Sequence, residues 1–474
     1  MEFLLLDERA KLKLAIIRRL EQKYSFSERK EILCDQLAVS HYLLERNMVE
    51  LNDDAARFGL NGEMEIIEQN NEVILFQSEQ ISSSIIEEYY VRDSLEFSLL
   101  KTIFFQKFTS IKKYSEKQGM SRTVVYKIID HIRQELKQYG IKLTKNCQLI
   151  GNEKTIRQYF TMLFYRIYKD TDTIYNQTDI LLVNNLFASL KQYYENVHTF
   201  HFLRHYLFVF LERTRKGRNY ALSKKTLVPA LDKSNELYQL LYHWCSNVLK
   251  GPTKEINVEV QGILNILSVY RTELCDYENS QLEHYAAQLN DYFFQQMQLT
   301  LKEGSIQQKI LAILYQHKYV TPFIDISLRV MDLEFFYERY PVIFEICQQF
   351  VTDFKEDFSF SKKTLFLNLL LTLAQMYDQM IEKRMINVYV DFTQGENYNQ
   401  FIKAQIQTFD TFSLNFQSVI RPDTDLIISD TRPNTVFSAK VLIWLAPPRA
   451  SDWQHFGDEI VRINKMIQRN KHRS

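Results

Sequence analysis

The stretch Ser110–Leu136 reads SIKKYSEKQGMSRTVVYKIIDHIRQEL. It contains a short polar helix, Ser110 to Gln118, then a glycine, then a long amphipathic helix that runs from Ser121 to Tyr139. On a helical wheel of the long segment, Val124, Val125, Ile128, Ile132 and Leu136 gather on one face, with Ile129 at its edge. Arg122, Tyr126, Arg133 and Lys137 gather on another, with Thr123 and Lys127 beside them. The apolar side must pack on preceding helices, which turns the basic side outward. A helix of this kind behind a tight turn at Gly119 suits a major groove, with its N-terminal residues facing base edges.

Outward from this stretch, one order of elements occurs twice. Helices fit Asp7 to Glu21, Glu28 to Leu37 and Ser40 to Asp54, with Ser40 as N-cap, and MEIIEQNNEVILF follows as two β-like runs around Asn70-Asn71. A second round fits Asp93 to Gln106, Ser110 to Gln118 and Ser121 to Tyr139, then IKLTKNCQLI as two runs around Lys145-Asn146. Three helices and a hairpin form a winged helix-turn-helix. The copies differ in charge. Lys107 to Lys145 holds ten Lys/Arg against three Asp/Glu, a balance of +7, whereas Asp7 to Leu60 holds ten of each. Duplex phosphates attract such a patch through counterion release, so the second copy is the stronger DNA reader. Arg122, Thr123 and Tyr126 are expected near bases, and Lys112, Lys113, Lys127 and Arg133 near phosphates. Lys142 and Lys145 in the wing are expected at the neighbouring groove or backbone. In the first copy Glu45, Glu50, Asp53 and Asp54 make the equivalent helix acidic, which suits positioning or dimerisation.

From about Thr155 to Lys383 the chain reads as almost wholly helical, with breaks near Gly217, Gly251-Pro252, Gly304 and Pro341. At Met385 the texture changes to MINVYVDF, LNFQSVI, TDLIISD and KVLIWLA as strands, with helices over GENYNQFIKAQIQ and Asp452 to Gln468. Apolar strands alternating with helices predict a small parallel α/β domain. The expected architecture is multidomain and mainly α. It has winged modules at 1–78 and 79–154, helical bundles at 155–275 and 276–384, and the α/β domain at 385–474.

Composition narrows the function. Over 474 residues the 58 Lys/Arg balance 58 Asp/Glu, which disfavours a protein that coats nucleic acid everywhere and leaves room for a local patch. Only 11 Gly and 8 Pro favour long helices. Five scattered cysteines, none at C-x-x-C spacing, read as buried thiols in a reducing cytosol. The start, MEFLLLDERAKLKL, has too short an apolar run for a signal peptide, and no membrane span is expected. Gly-rich phosphate loops, H-E-x-x-H and G-x-S-x-G are missing, so no enzyme, metal or cofactor is expected.

Two winged modules, two helical domains and a small α/β end resemble the Mga/AtxA family of bacterial transcriptional regulators. The resemblance covers essentially the whole chain and rests on domain order and length, with SIKKYSEKQGMSRTVVYKIIDHIRQEL as its clearest local match. It implies a cytoplasmic DNA-binding regulator, usually an activator and often of virulence genes. It also implies a homodimer formed through the C-terminal and helical domains. The helical domains would resemble phosphotransferase-system regulation domains, some of which the phosphocarrier protein of that system phosphorylates on histidine. HFLRHYLFVFLERTRKG supplies His201 and His205 as candidates, with Arg204, Arg213 and Arg215 placed to hold a phosphoryl group. The second helical domain lacks a histidine in TLFLNLLLTLAQMYDQM, which argues against double phosphorylation. The α/β end resembles an enzyme IIB domain, yet DFTQGENYN after its first strand has no cysteine, so it reads as a degenerate copy kept for subunit contact. Competing readings are an RNA-binding antiterminator with similar helical domains, a phosphocarrier, and a scaffold.

Overall fold

α1 (Glu8–Glu21) begins behind Asp7, whose carboxylate accepts from the Ala10 amide at 2.8 Å. β1 (Ser27–Arg29), α2 (Lys30–Leu37), α3 (His41–Arg57), β2 (Met64–Gln69) and β3 (Glu72–Gln77) complete the first winged module. The computed structural model describes residues 6–23, 25–169, 172–190, 197–215, 235–249, 251–270, 280–297, 299, 304–319, 333–354, 362–380, 385–407, 414–432 and 438–471. The second module follows α4 (Ser83–Asp93) and consists of α5 (Leu95–Phe104), α6 (Ile111–Gln118), α7 (Arg122–Gln138), β4 (Lys142–Leu143) and β5 (Leu149–Ile150).

The two helix-turn-helix turns are built alike. α2 ends on Ala38 in the left-handed region at φ 52°, Val39 follows, and the Ser40 hydroxyl accepts from Leu43 N at 3.2 Å. α6 ends on Gly119 at φ 65°, Met120 follows, and the Ser121 hydroxyl accepts from Val124 N at 3.3 Å. In each, a left-handed residue reverses the chain and a serine takes up an otherwise unpaired amide of the next helix. The first wing turns at Asn70 and Asn71, with φ of 52° and 66°, the geometry that matches the twist of a two-residue hairpin.

Three expectations need correction. The helix placed at Glu28 begins at Lys30, because Ser27–Arg29 pairs antiparallel with β3 and makes the first wing a three-stranded sheet in the order β1-β3-β2. The helix placed over Asp93–Gln106 is α5 alone; Asp93 closes α4, and extended Ser94 (ψ 144°) breaks the two apart and caps α5. α4 escaped the pattern because its buried face is partly polar. Glu87 is 2 % exposed and receives Arg18 at 2.9 Å and Arg166 at 2.6 Å, and Ser83 donates to Glu21. On α7, Val124 is 40 % exposed and not in the core, whereas Ile129 is buried.

Helices then dominate: α8 (Glu153–Tyr168), α9 (Gln177–Leu190), α10 (Val197–Thr214), α11 (Glu236–Val248), α12 (Thr253–Tyr270), α13 (Ser280–Gln296), α14 (Gly304–Tyr319), α15 (Leu333–Arg339), α16 (Pro341–Asp353) and α17 (Lys362–Met380). No described helix is long and apolar enough to cross a membrane. Pro341 sits in the first turn of α16, where its missing N–H costs nothing. The break expected near Gly217, and Cys275, lie outside the described residues. Cys34, Cys147, Cys245 and Cys347 are free and buried, and burial pushes each thiol up, away from the reactive thiolate.

The chain divides into two compact units, one comprising Met1–Gln288, Gln307–Met331 and Lys355–Leu365, the other Leu289–Ile306, Asp332–Phe354 and Phe366–Ser474. In the first, aromatic rings join the second module to α8: Phe104 meets Phe160 at 4.3 Å and Tyr139 meets Tyr159 at 5.0 Å. In the second, β6 (Ile386–Asp391), α18 (Glu396–Gln407), β7 (Leu414–Gln417), β8 (Leu426–Ser429), β9 (Lys440–Ile443) and α19 (Ala450–Lys471) form a parallel sheet in the order β7-β6-β8-β9 with two helices. Every residue of β8 is buried, as a central strand between helix layers requires.

Candidate nucleic-acid interface

The apolar side of α7 is fixed first. Val125, Ile129, Ile132 and Leu136 are all 0–1 % exposed, and Ile128 is 4 % exposed. That anchoring leaves Arg122, Thr123, Tyr126 and Lys127 exposed over the first two turns, with Tyr126 open by 54 %. Arg122 and Tyr126 stand four residues apart, as do Thr123 and Lys127, so each pair shares a stripe. Lys112 and Lys113 are exposed on α6, and Lys142 and Lys145 on the wing. Lys117, on the last turn of α6, is exposed as well, and sequence reading passed it over although it belongs to the same +7 stretch.

Arg133 stands apart from this group. Its guanidinium pairs with Asp130 at 2.9 Å and reaches the Thr144 carbonyl at 3.4 Å, so it braces the wing against α7. It also lies eleven residues along the helix from Arg122, about 16 Å at the α-helical rise. Its geometry is that of a brace at the far end of the helix.

The first module pairs the cations around α3 internally. Lys30 is buried, its ammonium 2.5 Å from Glu45 on α3 and 2.7 Å from Glu68 on β2, and these carboxylates raise its pKa. Arg46 pairs with Glu50 at 2.9 Å. Tyr42 and Val49 are exposed by 71 % and 62 %, so the outer face of α3 mixes apolar and acidic groups. Such a face has no free positive charge comparable with that of Arg122 and Lys127.

The histidine segment falls on α10. His205 is 2 % exposed and both its ring nitrogens are engaged, Nδ1 with the Tyr175 hydroxyl at 2.8 Å and Nε2 with the Lys169 carbonyl at 2.8 Å. Burial depresses its pKa to about 4, so it is neutral at pH 7. His201 is half-buried. The neighbouring arginines are committed to carboxylates: Arg204 to Asp172, Arg213 to Glu153 at 2.6 Å and Arg215 to Asp179. These partners lie 32 to 60 residues away in sequence, beyond the reach of any local pattern.

In the α/β domain, the loop after β6 is satisfied by a protein carboxylate. The Thr393 amide donates to both Asp430 oxygens at 3.1 and 3.2 Å, and its hydroxyl donates to the same carboxylate. These bonds, the hydroxyl's first, hold the Asp430 carboxyl below the usual range. The Phe392 amide is taken by Asn399 at 2.8 Å.

A family model described as the Mga helix-turn-helix domain matches residues 79–164. The match takes in α4, the whole second module and the first three turns of α8. No curated protein matches the chain. The resemblance to the Mga/AtxA regulators is borne out over residues 79–164, and the Mga helix-turn-helix domain there supports a DNA-binding transcriptional regulator.

Proposed function

We propose that the second winged module grips duplex DNA through the N-terminal two turns of α7. Arg122, Thr123 and Tyr126 lie at base edges, and Lys127, Lys112 and Lys113 at phosphates. Lys142 and Lys145 extend the contact from the wing, and Arg133 sets the wing's angle while remaining within reach of the backbone. The observation that carries this reading is the cluster of exposed cations around a buried, well-anchored recognition helix. The first module, with the cations around α3 paired internally, positions the second.

The finer parts of the reading come from the family. The chain acts as an activator and works as a homodimer through its C-terminal and helical domains. Such a dimer reads paired half-sites spaced by whole helical turns. The five segments 1–78, 79–154, 155–275, 276–384 and 385–474 serve as two DNA modules, two regulation domains and an enzyme-IIB-like dimerisation domain. Histidine phosphorylation by the phosphotransferase system falls on α10, where His201 is the more open candidate and His205 would first have to give up two hydrogen bonds. The Thr393–Asp430 closure supports reading the α/β domain as a contact element and not as a carrier.

The test compares genomic duplex fragments with RNA hairpins in a salt-titrated anisotropy assay. Preference for duplex is expected. Arg122→Ala should weaken binding by about 1–3 kcal/mol and relax sequence preference, and Lys127→Ala should lower the salt slope by about 1. Unchanged binding in both variants would remove α7 from the interface.

A further inference from the structure

A cleft of about 490 Å³ opens in the first unit between α1, α3, α5 and the first half of α7. That volume is within the range of small-molecule sites. Leu6, Ala10, Leu95, Val124 and Ile128 supply its apolar lining. Leu95 and Val124 stay 43 % and 40 % exposed, so the fold leaves wet apolar surface there on two different helices.

The charges in the cleft are unequal in their commitments. Asp54 accepts from Lys13 and from the Tyr90 hydroxyl, and pairs with Arg57 at 3.0 Å. Arg57 also meets Asp93 at 2.9 Å, Glu50 lies 3.2 Å from Lys13, and Glu96 lies 3.3 Å from the His131 ring. Asp7 caps α1. Each acid of the lining thus has an internal partner. Arg9 and Lys127 are both exposed, and neither has a carboxylate within ion-pair reach among the described residues. The lining therefore offers an apolar patch and two uncommitted cations on different helices.

We propose that this cleft binds a small amphipathic carboxylate, with its hydrocarbon body against Leu95, Val124 and Ile128 and its head between Arg9 and Lys127. Binding there also draws Lys127 away from DNA phosphate, so ligand and duplex oppose each other, and each lowers the other's affinity by the same factor. This second half rests on the DNA reading of α7; the first half does not.

Octanoate is the probe and acetate its control, titrated calorimetrically into the full chain without DNA. Saturable one-to-one binding of octanoate is expected, with acetate far weaker. Arg9→Ala should weaken octanoate about tenfold, the worth of one charge-assisted hydrogen bond, and leave DNA affinity without octanoate unchanged. Leu95→Gln, at an exposed site that folding tolerates, should also weaken it. No saturable heat, equal binding of acetate, or an unaltered Arg9→Ala variant would overturn the site. Octanoate that binds while DNA affinity stays constant would overturn the opposition alone. A chain that binds no DNA even without octanoate would fault the DNA reading, and the calorimetry would still decide the site.

Discussion

His205 shows how far a single side chain departs from its sequence-level reading. The Lys169 carbonyl can only accept, so Nε2 carries the proton and Nδ1 accepts from the Tyr175 hydroxyl. The imidazole thereby ties α10 to the residue that ends α8, where Lys169 holds a strained φ of 47°. Its depressed pKa, about 4 against an ordinary 6.5, makes the neutral form part of the folded state. The stability it contributes is complete above pH 6.5 and is lost as pH falls toward 4, by about 3 kcal/mol at most. His205→Gln keeps an N–H donor but cannot titrate. Chemical denaturation at pH 7 and pH 4.5 should show a smaller acid loss in this variant, and an equal loss would assign the effect elsewhere. A second residue-scale test concerns Arg157 and Glu259, fully buried and joined by two bonds of 2.5 and 2.9 Å. Burial alone would lower the Arg157 pKa, but the Glu259 carboxylate more than offsets this and raises it. Glu259→Gln should cost about 3–5 kcal/mol in urea unfolding, because it leaves the buried Arg157 cation only its longer carboxylate contact, with Glu153 at 3.2 Å.

Among the elements, the paired turns permit an exchange experiment. Gly119 and Ala38 hold the same left-handed place, and a Cβ on Gly119 would meet no atom within 4 Å, so only backbone strain opposes it. Gly119→Ala should destabilise by about 1 kcal/mol, and Ala38→Gly should stabilise by somewhat less, since glycine also loses more chain entropy on folding. Melting both variants checks the opposite signs. The third helix of each module, the Ser40 cap and the Asn-Asn hairpin were legible because each depends on contacts within about four residues. β1 and α4 were not. β1 is three residues long and exists only through its pairing with β3. α4 hides its periodicity behind Glu87 and Ser83, which are buried with partners 62 to 79 residues away.

Across the molecule, the first unit shows α8 as a shared beam. Asn152 caps it directly behind the wing strand β5, Tyr159 touches Tyr139 at the end of the recognition helix, and Arg166 reaches Glu87 on α4. On its other side, Arg157 and Glu153 take Glu259 of α12 and Arg213 of α10. α8 and its end thus carry contacts to α10, through Arg213 and His205, as well as to the second module. This sharing predicts that α7 and α8 open together. Their core amides should exchange hydrogen with equal free energies, and a separately opening α7 would dissolve the beam. The mainly helical class and the concentration of positive charge were determined by sequence, because periodicity and net charge are sums over neighbours along the chain. Tertiary structure alone decided which charges remain available. Arg46, Arg204, Arg213 and Arg215 look as free in the sequence as Arg122, yet each is held by a carboxylate that folding brings to it. Ion pairing acts over a few ångströms of space, and most of these partners stand tens of residues away along the chain.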